Sequence, residues 1–153
     1  MDDFLHRLHA HDWAREPRSE WNSPEDLPPA LVAAWRGDPD AYDRLMPVLA
    51  HNHSGVWYPV LLPAMPFLHE ILTHAPAAGV VAVLGLLDDV VHSFDVEPES
   101  PALDRQRELA FRDALLPVRQ TAIAVAAAEP AHAHWVSDLV EGIDARLAGA
   151  RDR

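Results

Sequence analysis

Four pairs of side chains in this sequence have the types and spacing to hold a metal or move a proton. His51 and His53 flank Asn52, and His132 and His134 flank Ala133. Glu70 and His74, like Asp88 and His92, are four residues apart and share one face of any helix that carries them. Imidazole and carboxylate together suit first-row metals. Each pair is nevertheless an incomplete ligand set, and His69-Glu70 does not open a zincin motif because His74 falls one residue late. No metal and no cofactor is expected; the alternative is a His-ligated metal-binding helical bundle, with or without enzyme activity. Ser54, Ser93, Ser100 and Ser137 lie in no nucleophile-elbow pattern. The run Asp88-Asp89-x-x-His92-x-x-Asp95 could handle protons, but it reads more simply as a polar helix end where the dipole favours His92. With no glycine-rich phosphate loop and no basic stripe, no catalytic residue is assigned and no enzyme is expected.

The elements that must carry these residues are helical throughout. Phe4, Leu5 and Leu8 mark a short first helix, and residues 15–29 form a connector with four prolines. Leu31, Val32 and Trp35 give one apolar face that Gly37 closes. Asp38 is a natural N-cap with Pro39 at the first helical position, followed by Tyr42, Leu45, Met46 and Leu49. After a polar turn at residues 51–55, the next helix starts at Pro59 or Pro63, since proline is tolerated where the N–H has no intrahelical partner.

Residues 77–87 are apolar nearly all round, which predicts the least exposed helix. Residues 94–101 read as an acidic loop. Residues 103–128 form the longest helical candidate, which Pro117 should kink or divide. Trp135, Val136, Leu139, Val140, Ile143 and Leu147 make the stripe of a last helix. Helices are therefore expected over 31–36, 38–51, 63–74, 77–94, 103–128 and 131–148. The predicted class is all-α, with antiparallel helix pairs stacked as a short solenoid or a compact bundle. A sheet of three or more strands would contradict it.

At this length one domain is expected: an N-terminal helix and connector over 1–29, helix pairs over 30–94, and a C-terminal pair over 101–150. The net charge is −12, and it is unevenly placed. Residues 37–104 hold ten acids against Arg44 alone, net −9, whereas residues 105–153 balance seven acids with seven arginines. Such a field repels nucleic acid and anionic lipid and attracts a basic partner. The first residues are acidic where a signal peptide needs bases, no apolar run reaches the roughly 20 residues that span a bilayer, and cysteine is absent. A cytoplasmic location is expected.

Residues 31–94 resemble HEAT-like repeat proteins of actinobacterial type. The resemblance rests on Gly37-Asp38, the turn from His51 to Gly55, the aromatic-proline step Tyr58-Pro59, and Pro66-Phe67-Leu68. It covers under half the chain, and no clear later repeat follows Pro101. It implies a right-handed HEAT-like stack that binds protein, in particular an immunity protein paired with a basic polymorphic toxin domain. A regulatory adaptor is a further alternative. The acids Asp88, Asp89, Asp95, Glu97 and Glu99, together with His92, are expected to meet the partner, with Trp57 and Tyr58 as candidate aromatic anchors. Trp57, Tyr58 and Trp35 equally fit a core that locks neighbouring helices.

Overall fold

The computed structural model describes residues 2–149, and the final residue of the predicted 101–150 unit lies outside them. Among the described residues seven α-helices carry the fold: α1 (Asp2–Ala10), α2 (Leu27–Arg36), α3 (Ala41–Leu49), α4 (Leu61–His74), α5 (Ala77–Ser93), α6 (Pro101–Ala128) and α7 (Ala133–Ala148). Three short 3-10 turns, Trp13–Arg15, Pro24–Asp26 and Pro130–His132, link them. No helix among the described residues is long and apolar enough to cross a membrane.

Local chemistry explains the boundaries. Gly37 adopts φ 74° and its N–H closes α2 on Ala34 O at 3.0 Å, as its position after the apolar face predicts. The start of α3 differs from expectation. Asp38 does not cap a helix; its carboxylate accepts from Asp40 N at 2.9 Å within a turn, and α3 begins at Ala41. Ser100 caps α6 by accepting from Leu103 N, with Pro101 in the first turn. Asp104 Oδ1 reaches back to Glu99 N at 2.9 Å, so α6 starts two residues before the expected position. Pro117 does not divide α6, which runs continuously through it.

The sequence reading predicts no sheet, and a small one exists. β1 (Ala50–His51) pairs antiparallel with β2 (Val56–Trp57), and β2 pairs in parallel with β3 (Asp95–Val96). This three-stranded sheet contradicts the strict all-α class; the fold is mostly helical with a miniature sheet. Strands of two residues leave no alternation to read, and they arise because the backbone of the 51–55 turn needs partners. Asp95 N donates to Gly55 O at 3.0 Å and Glu97 N to Trp57 O at 2.9 Å. The acidic loop is thereby fastened to the middle of the fold.

A single apolar core runs from Phe4 and Leu8 through α2–α5 to Phe111, Leu115, Leu139 and Ile143. Two backbone crossings are unusually close. A Cβ on Gly79 would stand 1.9 Å from Ala34 O, so α5 meets α2 where only glycine fits. A Cβ on Gly142 would stand 2.5 Å from His92 Cε1, so α7 lies directly on the end of α5. Within α5, residues 79–91 are mostly buried, yet Ala77 and Ala78 are exposed and Val81 and Gly85 are half-buried. The helix is apolar all round, but one side of it is open.

Candidate functional site: an acidic groove beside α5

That open side lines a groove of about 530 Å³. Its floor is the stripe Ala78, Val81, Ala82 and Gly85, which falls on one face because of helical spacing. Tyr42 at the start of α3 forms one wall and Trp135 at the start of α7 the other. Asp88 and Asp89, one further turn along α5, close the end. Trp135 was assigned by its spacing to the buried stripe of α7. It is 42% exposed instead, because that stripe centres on Val136, Leu139 and Ile143 and leaves Trp135 on the flank.

The two carboxylates are held differently. Tyr42 Oη donates to Asp89 Oδ2 at 2.5 Å. Burial, and then the nearby Asp89 carboxylate, push the Tyr42 hydroxyl well above the usual tyrosine range, so it stays a donor. Asp88 Oδ1 is buried and makes no hydrogen bond. His92 Nδ1 lies 3.1 Å from it but is aligned on the Asp88 backbone carbonyl at 3.0 Å. Burial pushes the Asp88 carboxyl up; His92 opposes the shift, and the Asp138 and Asp89 carboxylates add to it. Asp138, on α7, has His134 Nδ1 at 3.6 Å. Among the described residues no arginine pairs with Asp88, Asp89 or Asp138. The groove end is a concentration of negative charge countered only by histidine.

A second groove of about 410 Å³ meets the first at Tyr42, which lines both. It contains Asp43, His51 and Trp21, and Trp21 is 62% exposed. The Trp21 ring stacks on His51 with centroids 5.4 Å apart. The two most exposed tryptophans therefore stand at the two grooves either side of one tyrosine. In the same turn the structure brings His51 Nδ1 to 2.6 Å from Ser54 Oγ, a pair that sequence spacing did not single out. The contact is exposed, and His51 makes no side-chain hydrogen bond to a carboxylate that would orient it as a base.

The remaining expected site residues lie elsewhere. Trp57 and Tyr58 are fully buried, and the Trp57 ring packs on Phe111 with centroids 5.0 Å apart. As partner anchors both are corrected to core residues, because a side chain with no accessible surface cannot meet a partner. Asp95 is exposed and Glu97 half-buried, and neither lines the groove. Glu99 pairs with Arg107 at 2.7 Å. Burial pushes the Glu97 carboxyl up, Ser19 and Arg107 pull it down, and Glu99 raises it. The residues expected to act together thus divide into Asp88, Asp89 and His92 at the groove end of α5, Glu97 and Glu99 beside Arg107, and an exposed Asp95 in neither set.

Sequence reasoning missed the ion network that fixes this end of α5. Arg146 on α7 makes a bidentate contact with Glu108, Nε to Oε1 at 2.9 Å and Nη2 to Oε2 at 2.8 Å. Its Nη1 donates to Val90 O and to Phe94 O, both at 2.9 Å. Arg112 Nε also donates to Glu108 Oε1 at 2.9 Å. Burial opposes ionisation of Glu108, but the hydrogen bonds and charges of Arg146 and Arg112 outweigh it and hold the carboxyl below its usual range. Only the Glu108–Arg112 spacing of four was visible in sequence.

No group of three or more His, Asp or Glu side chains among the described residues is placed to hold a metal ion. No family model matches the chain, and no curated protein and no solved structure matches it.

Proposed function

We propose that this protein is a protein-binding scaffold whose docking face is centred on Tyr42 and receives a basic partner. The observation that carries this reading is the arrangement of the two grooves. Each displays an exposed tryptophan, Trp21 or Trp135, and the first ends in carboxylates with no arginine counter-charge. Exposed tryptophans beside a desolvating concavity are the usual anchors of protein interfaces, and unpaired acids supply electrostatic steering. The contacts of α2 with α3, α4 with α5 and α6 with α7, together with those of α4 with α6 and α5 with α7, support reading the helices as a short right-handed HEAT-like stack of antiparallel pairs. Taken with the resemblance noted above, the specific form of the proposal is a cytoplasmic immunity protein that neutralises a basic toxin domain.

The test is co-expression with the product of the neighbouring gene, followed by growth rescue and titration calorimetry on the purified pair. A stoichiometric complex that weakens by about tenfold or more on Trp135→Ala is expected, as for an interface anchor. Absence of rescue and of any complex would overturn the proposal for that partner class.

A further inference from the structure

We infer that the α5 groove is the seat of a basic amphipathic helix from the partner, with one arginine or lysine of that helix placed against Asp88 and Asp89. The inference rests on the scaffold reading above and specifies what enters the groove. Three observations carry it. First, the floor is built from small side chains, Ala78, Ala82 and Gly85, with Val81 among them. Small residues along one stripe let a second backbone come close, as α2 does at Gly79. From Ala78 to Asp89 the stripe spans about 16 Å at 1.5 Å per residue, or three helical turns. That matches a helix laid in a groove better than a single inserted side chain.

Second, the end of the stripe is electrostatically incomplete. Asp88 Oδ1 is buried without a hydrogen bond, and Asp138 and Asp89 crowd it with like charge. An incoming guanidinium or ammonium at the accessible side of these carboxylates would bring the opposite charge and relieve that repulsion. Asp89 is already oriented by Tyr42 Oη, so one carboxylate is fixed in advance for a bidentate contact. Third, Trp135 stands as the wall of the groove, with 42% of its surface exposed. An indole face there can take both the alkyl stem and the cationic head of an arginine. A neutral or acidic helix would use the floor but leave the crowded carboxylates without an opposite charge.

The test uses the full chain as bait for a displayed library of helical peptides, each about 14 residues long so that three turns can form on the surface. The apolar-face and charged positions are randomised. Enriched peptides should share an arginine or lysine at one end of an apolar stripe. Replacing that arginine by neutral citrulline should weaken binding at least tenfold. Asp88→Asn/Asp89→Asn should remove the difference between the arginine and citrulline peptides, and Trp135→Ala should weaken both. Leu116→Glu, on an exposed part of α6 outside either groove, should change nothing.

Enriched peptides that bind wild type and Asp88→Asn/Asp89→Asn equally would overturn the inference while leaving the scaffold reading intact. Failure to enrich any peptide would overturn the inference alone, provided the neighbouring-gene product still forms a complex; failure of both would remove the scaffold reading too. Benzyltrimethylammonium bound as tightly as the peptides would assign the groove to a small cation and overturn the helix.

Discussion

The acids at the two ends of the α5–α6 connection are treated in opposite ways. At the start of α6, Glu99 has Arg107, Asp104 caps two backbone N–H groups, and Glu108 has both Arg146 and Arg112. On the groove side of α5, Asp88, Asp89 and Asp138 have a tyrosine hydroxyl and two histidines between them. The first set is satisfied and holds α5, α6 and α7 together. The second is left wanting, at a cost that the fold itself does not require. Folding alone favours satisfied charges, and an unsatisfied set beside an open apolar stripe is the contrast on which the proposed docking site rests. The difference also separates residues whose loss should unfold the protein from residues whose loss should only silence it.

The sharpest way to break that contrast is at Arg146. Arg146→Ala removes the cap on the α5 carbonyls and leaves Glu108 mostly buried with Arg112 alone. Glu108 is part-buried and keeps Arg112, so losing the charge-assisted hydrogen bonds of Arg146 costs about 3 kcal/mol. For a chain of this size that lowers Tm by about 10 °C, readable by circular dichroism.

Acid titration of stability is the next test. Glu108 is held below its unfolded value of 4.5, so its contribution is complete above that pH and is lost as pH falls through the folded value. Urea melts from pH 6 downward to about 3 should show this loss in wild type and a shallower one in Glu108→Gln.

Two combined variants then compare the acidic sets by association rate. Asp88→Asn/Asp89→Asn should slow association with the cognate partner by about tenfold at low salt. Asp95→Asn/Glu97→Gln/Glu99→Gln should slow it less, by about twofold, because Glu97 and Glu99 are already countered by Arg107 and residual steering is screened. Equal effects would merge the two sets into one acidic face.

How much of this was legible in sequence follows from the length of each signal. The helices could be read because periodicity accumulates over many residues, and Gly37 and Pro130 punctuate them. The strands could not, because two residues carry no period. The beginning of α3 was misplaced because Asp38 can serve a turn as well as a cap, and the choice is tertiary. Asp88 and Asp89 stand out in the sequence by charge and by their spacing to His92. Their grouping with Glu97 and Glu99 by nearness in sequence did not survive the turn at Phe94, after which β3 carries the chain along β2. Trp57 and Tyr58 are residue types of interface anchors, but Trp57 sits where the miniature sheet meets α6 and Tyr58 beside it is equally buried. The groove itself requires α3, α5 and α7 to converge, which no local pattern encodes, and Trp135 was assigned to the wrong side for that reason.

The central claim is that the groove acids are kept at the expense of stability, and Asp88→Asn tests it without any partner. Burial and neighbouring carboxylates raise the folded pKa of Asp88 above its unfolded value of 3.8. Its ionised form therefore destabilises the fold once pH rises through the folded value, and the penalty disappears below 3.8. Urea denaturation at neutral pH should find Asp88→Asn more stable than wild type, with the gain vanishing in acid. A variant less stable than wild type at neutral pH would show that Asp88 serves the fold, and would contradict the reading of this groove as a site held open for a basic partner.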